Sequence, residues 1–463
     1  MISSKDIDIQ MFDVFILLID DFNAMKDLCT LTKKSFLPVI NKPILFYQLE
    51  FLERHNIKEV HLLQTDDDLE KSKTFISTYI GKIKLDLIEI KVEALDTLVI
   101  FNAIKNKLTK KNFILIEGDS ILSFNFDEFI NYHIDNKNLL SMILQKKEAE
   151  LEKMKPFREE VTESFGIDTN ENNRVVFYNK KKKDEGELVI NKRIFKRFNS
   201  FNLLLNHIDV GFYIFNNAIF DLIESIKIKM ESEKEEKKSS LKSINNLKEG
   251  FIPYLIKKTF SRDLNMVLIE KYANTLLNAE RVKIGSKIIN NDGDEYCYKI
   301  YDYPSYLNII EEIHKQYGDI KLVFFQTKNN LKNYFYNFEK KIQENLENNK
   351  KFSDGIPEIE KFSADSYIAD GIEKIEKNVV VSKSVGDKNL NIQEGSKLIG
   401  CIIGQNSKIG KNSKLSNCIL GKFCEIGDNC NISECVIADY YKVNDNTNVN
   451  QKILNDSNTG INF

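Results

Sequence analysis

Over the first third of the chain, short apolar runs alternate with amphipathic stretches. The runs at 14–19, 59–64, 85–90, 113–116 and 139–144 are rich in β-branched and aromatic residues and predict strands. Between them, 45–54, 69–80, 98–108 and 126–134 repeat apolar residues at three- and four-residue spacing and predict helices. This alternation predicts a doubly wound α/β domain around a largely parallel sheet. Its ligand crevice lies beyond the carboxyl ends of the strands, at the loops starting at Asp20, Gln64 and Gly118. Further along, 169–173 predicts the turn of a hairpin between 165–167 and 175–177, and 208–215 another strand. The run 231–248, almost wholly Lys, Glu, Ser and Asn, predicts a solvated insertion.

After about residue 379 the pattern changes. Aliphatic residues recur six, six and five apart in the triplets Ile403, Ile409, Leu415, then Leu420, Ile426, Ile432, then Ile437, Val443, Val449. Each triplet returns at a strict period of 17, echoed by Cys401, Cys418, Cys435 and by Asn412, Asn429, Asn446; a less regular coil precedes at Ile392 and Leu398. No helix keeps that register. It predicts a three-sided parallel β-helix with one inward aliphatic per side, and Gly404, Gly410, Gly421, Gly427 and Asn444 at corners needing positive φ or close backbone approach. The expected division is an α/β domain over 1–327, a polar helical linker over 328–378 and the β-helix over 379–463.

Composition narrows the function classes. With 463 residues the chain has room for about three domains at about 150 residues each. The 66 basic and 69 acidic residues leave a net charge of −3, which requires neither nucleic acid nor an anionic membrane as partner. No apolar run reaches the roughly 18 to 20 residues of a membrane span, and the first residues lack a signal-peptide pattern, so the expected compartment is the cytosol. Seven cysteines without a CxxC pair read as reduced thiols, and a cysteine ladder, one per coil, is no tetrahedral metal cluster. No histidine follows His314, which argues against the acyl transfer that many hexapeptide β-helices perform with a histidine base.

The stretch Leu31-Thr32-Lys33-Lys34-Ser35-Phe36-Leu37-Pro38-Val39, followed by Asn41-Lys42-Pro43-Ile44, resembles the signature of the sugar-phosphate nucleotidyltransferases. Lys34 falls on the family lysine and Lys33 replaces its proline. In that family a glycine-rich loop with an essential arginine precedes the signature and holds the nucleoside triphosphate through its amides. Here the loop falls on Asp20-Asp21-Phe22-Asn23-Ala24-Met25, without glycine and with Ala24 at the arginine position. A phosphate cradle needs exposed amides and positive charge; a carboxylate about 4 Å from a phosphate opposes it by about 4 kcal/mol at an effective dielectric near 20. A second family element, Gly-Thr-Ala, falls on Asp96-Thr97-Leu98. Two acids persist: Asp119 in Gly118-Asp119, where active members hold Mg²⁺, and Asp209 in His207-Ile208-Asp209-Val210-Gly211, near the second metal-ligand position. The resemblance therefore implies a vestigial nucleotide crevice made of Asp20, Asp21, Asn23, Ala24, Lys34, Thr97, Asp119 and Asp209, with Asp119 bonding its own turn. It implies no catalytic residue, no metal and no other cofactor, although two carboxylates at strand ends are a set that can bind Mg²⁺.

A narrower likeness spans nearly the whole chain. Met25-Lys26-Asp27-Leu28, Glu187-Leu188-Val189-Ile190, Phe251-Ile252-Pro253-Tyr254-Leu255-Ile256-Lys257-Lys258, Cys297-Tyr298 and Asn417-Cys418-Ile419-Leu420-Gly421 resemble, in order, landmarks of the gamma subunits of translation initiation factor 2B. That resemblance implies a nucleotidyltransferase-like α/β domain followed by a left-handed parallel β-helix. It also implies a non-enzymatic, cytosolic subunit of a guanine-nucleotide exchange complex, paired with an epsilon-type subunit and acting on the GTP-binding initiation factor 2, without direct nucleic-acid or membrane contact. Exchange in that complex belongs to a helical domain that the epsilon chain carries after its β-helix, and the 14 residues after Val449 are expected to leave no room for one. The alternatives are an active or degenerate sugar-phosphate nucleotidyltransferase and a free-standing β-helix scaffold.

Overall fold

The computed structural model describes residues 11–18, 25–29, 33–40, 42–65, 69–90, 97–147, 154–157, 161–182, 188, 190, 192–198, 200–224, 246–259, 283–291, 295–317, 361–362, 366–368 and 374–455. The charged run as far as 245 and the tract 328–360 lie outside these residues.

The first architecture is a ten-stranded mixed sheet. Its strands are β1 (Phe12–Leu17), β2 (Glu59–Thr65), β3 (Lys84–Ile90), β4 (Asn112–Glu117), β5 (Leu140–Lys146), β6 (Val161–Asp168), β7 (Arg174–Lys182), β8 (Asn202–Leu204), β9 (His207–Asn216) and β10 (Ile284–Ile289). They lie in the order β8-β6-β7-β10-β5-β9-β4-β1-β2-β3. The predicted alternation appears as the parallel block β3-β2-β1-β4, while β9 enters antiparallel between β4 and β5. Alternate residues of β1 point to opposite faces: Phe15 and Leu17 join the core under the Thr97–Lys107 helix, and Val14 and Ile16 the core under Ile44–Arg54 and Phe126–Asp135. Such two-sided burial is why these strands read as unbroken apolar runs. The predicted hairpin is present as β6 and β7, turned by Asn172 and Asn173 at φ 54° and 56°.

The second architecture is three parallel sheets wound around a narrow core. The 17-residue register holds at the inward positions: Ile403 stands beside Leu420 and Leu420 beside Ile437, Ile409 beside Ile426 and Ile426 beside Val443, Leu415 beside Ile432 and Ile432 beside Val449. Cys401, Cys418 and Cys435 form a buried ladder between the coils. Gly404, Gly410, Gly421 and Gly427 follow close approach and not positive φ: a Cβ on Gly427 would lie 2.5 Å from the backbone nitrogen of Asp445 in the next coil. Positive φ falls instead on corner asparagines, among them Asn412, Asn429 and Asn446 at 57°, 53° and 59°. Asparagine tolerates that region better than other residues with a Cβ.

One side of the β-helix is apolar outside as well as inside. Val385, Ile402, Ile419 and Val436, one per coil, are buried against Met25, Leu28, Tyr303 and Tyr306 of the α/β region. Polar locks flank this seam: Asn455 Nδ2 donates to Asp27 Oδ1 at 2.7 Å, and the Met154 amide to Glu434 Oε2 at 3.2 Å.

Candidate functional site

Of the crevice residues expected from the sequence, Asp20, Asp21, Asn23 and Ala24 lie outside the described residues, whereas Lys34, Thr97, Asp119 and Asp209 are placed. Lys34 opens a single 3-10 turn, Lys34–Phe36, and is buried; its neighbour Ser35 packs on Gly118. Thr97, also buried, begins the Thr97–Lys107 helix. Asp119 follows β4 at the carboxyl end of the sheet, where the Gly118 amide donates to the Leu17 carbonyl at 3.0 Å. Gln48, fully buried, clamps this turn by donating from Nε2 to the carbonyls of Glu117 at 2.7 Å and Ser120 at 2.9 Å.

Asp209 sits in β9, whose register with β5 shifts between Asp209 and Tyr213. Gly211 occupies the shifted segment at φ 84°, and a Cβ there would collide with the Glu117 side chain. Asp209 is held from three directions: Tyr213 Oη donates to Oδ2 at 2.5 Å, the Gly211 amide to Oδ1 at 2.9 Å, and its own amide donates to Glu163 Oε2 at 2.6 Å.

Two lysines that sequence reasoning did not single out complete the site. Lys299 ends the Tyr296–Lys299 strand, whose antiparallel pairing with Ser120–Ser123 sets it opposite Ser120. Its Nζ lies 2.7 Å from Asp119 Oδ1 and 2.6 Å from Glu117 Oε2. Lys248 was expected to end a solvated run, but it is only 6% exposed. Asn246 caps the turn that carries it, and its Nζ reaches Glu117 Oε2 at 2.7 Å, the Asp209 carbonyl at 2.9 Å and Asp209 Oδ2 at 3.7 Å. Counter-charge, which a helical or strand period does not reveal, is what draws it inward. The result is an alternating chain, Asp119–Lys299–Glu117–Lys248–Asp209, with Glu163 beside it.

The electrostatics follow from this order. Burial by itself raises a carboxyl pKa, yet the Lys248 and Lys299 ammoniums bring Glu117 down to about 2. Burial pushes Glu163 and Asp209 up, against the pull of Lys248. For Lys299 the attraction of Asp119 and Glu117 overrides burial and raises its pKa.

The nucleotidyltransferase likeness implies Mg²⁺ at Asp119 and Asp209, and the residues present do not fit it. Both acids already bond ammonium groups, and a dication about 4 Å from one ammonium is opposed by about 8 kcal/mol at an effective dielectric near 20. Among the described residues no three His, Cys, Asp or Glu side chains are grouped to hold a metal.

Comparison with known proteins agrees with this architecture. A family model described as nucleotidyl transferase matches residues 25–250. One described as the GMPPB C-terminal domain, from a different family, matches residues 363–459. Translation initiation factor eIF2B subunit gamma of Dictyostelium discoideum is 24% identical over 337 residues, covering 65% of this chain and 73% of its own length.

Proposed function

We propose that this chain is a non-catalytic structural and regulatory subunit of an initiation factor 2B-type guanine-nucleotide exchange complex, pairing with an epsilon-type subunit to promote GDP release from initiation factor 2. The observation that carries this reading is the use made of residues 25–29. In the nucleotidyltransferase layout this segment begins at the end of the phosphate-binding loop read on 20–25 and leads from it to Lys34. Here Met25 and Leu28 are buried in the seam beneath the β-helix, and Asp27 binds both Asn455 and the Tyr303 hydroxyl, the latter at 2.9 Å. A segment anchored in this way joins two architectures into one body. The likeness to the gamma subunit supports the choice of complex. Among the described residues no helix is long and apolar enough to cross a membrane.

Co-expression with an epsilon-type subunit tests it: the pair is expected to co-purify and to release labelled GDP from initiation factor 2 faster than the epsilon-type chain alone. Failure to associate overturns the reading. The second reading, a sugar-phosphate nucleotidyltransferase, draws on the match at 25–250 and on Gly118-Asp119 at a strand end. Pyrophosphate formed from a nucleoside triphosphate and a sugar phosphate by the purified chain would establish it.

A further inference from the structure

We propose that Lys299 is a built-in counter-cation, occupying with its ammonium the point between Glu117, Asp119 and the Val210 carbonyl that a divalent ion would otherwise take, so that removing the lysine opens a cation site. Three oxygens from two separate segments converge on its Nζ: Glu117 Oε2 at 2.6 Å and Asp119 Oδ1 at 2.7 Å from the end of β4 and its turn, and the Val210 carbonyl at 3.5 Å from β9. Two carboxylates and a carbonyl around one point are the donor set that hard cations take.

The backbone of the cage is held without the lysine, and Lys248 also holds Glu117. Gln48 fixes the Glu117 and Ser120 carbonyls on either side of Asp119, and the bulge at Gly211 presents Val210. The ammonium arrives from elsewhere, on a strand about 180 residues distant in sequence, held by main-chain pairing to Ser120–Ser123. A tethered cation competes at a high effective concentration, which free Mg²⁺ cannot match. Lys248 balances the Asp209 end and shares Glu117, so the removal of Lys299 leaves the second acid paired. This inference goes beyond the assembly role and does not depend on it: one is read by co-purification, the other by cation binding.

Mn²⁺ is the probe, followed by the paramagnetic resonance signal of the free aqueous ion during titration of the full-length chain. The wild type is expected to leave Mn²⁺ free to about 1 mM, and Lys299→Ala to bind one ion at least about tenfold more tightly. Adding Asp119→Asn to Lys299→Ala should abolish the gained site. Wild-type binding that Asp119→Asn removes overturns the proposal. So does a folded Lys299→Ala chain with no gain, or a gained site that survives Asp119→Asn. Circular dichroism checks folding; if Lys299→Ala does not fold, Lys299→Ser carries the same comparison, and the wild type against Asp119→Asn decides independently.

Discussion

A lysine buried as an ammonium is costly without a counter-charge, and Lys248 meets Glu117 and Asp209. Lys248→Met takes the ammonium from Asp209 and leaves Glu117 with Lys299 alone; the urea midpoint should fall by the equivalent of about 3 to 5 kcal/mol. Tyr213→Phe removes one donor from Asp209 and should cost about 1 to 3 kcal/mol in the same measurement. His133 gives a pH signature. It is 2% exposed, its Nδ1 lies 2.9 Å from Ser141 Oγ, and burial pushes its pKa down to about 3. The unfolded chain takes up this proton near pH 6.5 and the folded chain only near 3, so stability falls as pH drops between these values, by about 2 kcal/mol at pH 5. His133→Gln should narrow its stability gap to the wild type by that amount between pH 7.5 and 5, read by urea unfolding at both. At this scale the sequence showed Asp119 and Asp209 but not their lysines. The one local signal was a polar residue closing the apolar strand Tyr296–Lys299.

At the scale of elements, period was the informative quantity. The β-helix repeats because each coil lays its backbone on the next, so an inward aliphatic and a left-handed corner must recur at the same register. Asn429→Ala places a Cβ residue without asparagine's local bonding at φ 53°, and should lower stability by about 1 kcal/mol, while Asn429→Gly stays within a few tenths. Thermal melting of the two variants checks the ordering. The parallel block was equally legible, since strands buried on both faces read as apolar runs between amphipathic helices. The antiparallel entry of β9 between β4 and β5 was not, because strand order depends on which edges meet and not on the pattern within a strand.

The whole molecule is organised by the seam. Ile419 is 1% exposed and points out of the β-helix into the α/β region, whereas Lys414 stands exposed on another side of the same coil. Ile419→Asp buries an unpaired carboxylate and should lower the thermal midpoint by several degrees, while Lys414→Asp leaves it nearly unchanged. Equal shifts would mean that the seam contributes nothing. The sequence by itself determined the two architectures and their order, because hydrophobic period is a local quantity that backbone geometry converts directly into strands, helices and coils. Even the seam left a trace, in aliphatics at 402, 419 and 436 where the other sides carry lysine, asparagine or glutamate. Only the tertiary structure decided that Lys248 and Lys299 close the acid pair and that residues 25–29 lie beneath the β-helix. Both depend on charge and packing between segments tens to hundreds of residues apart, and chain spacing carries no record of such distances.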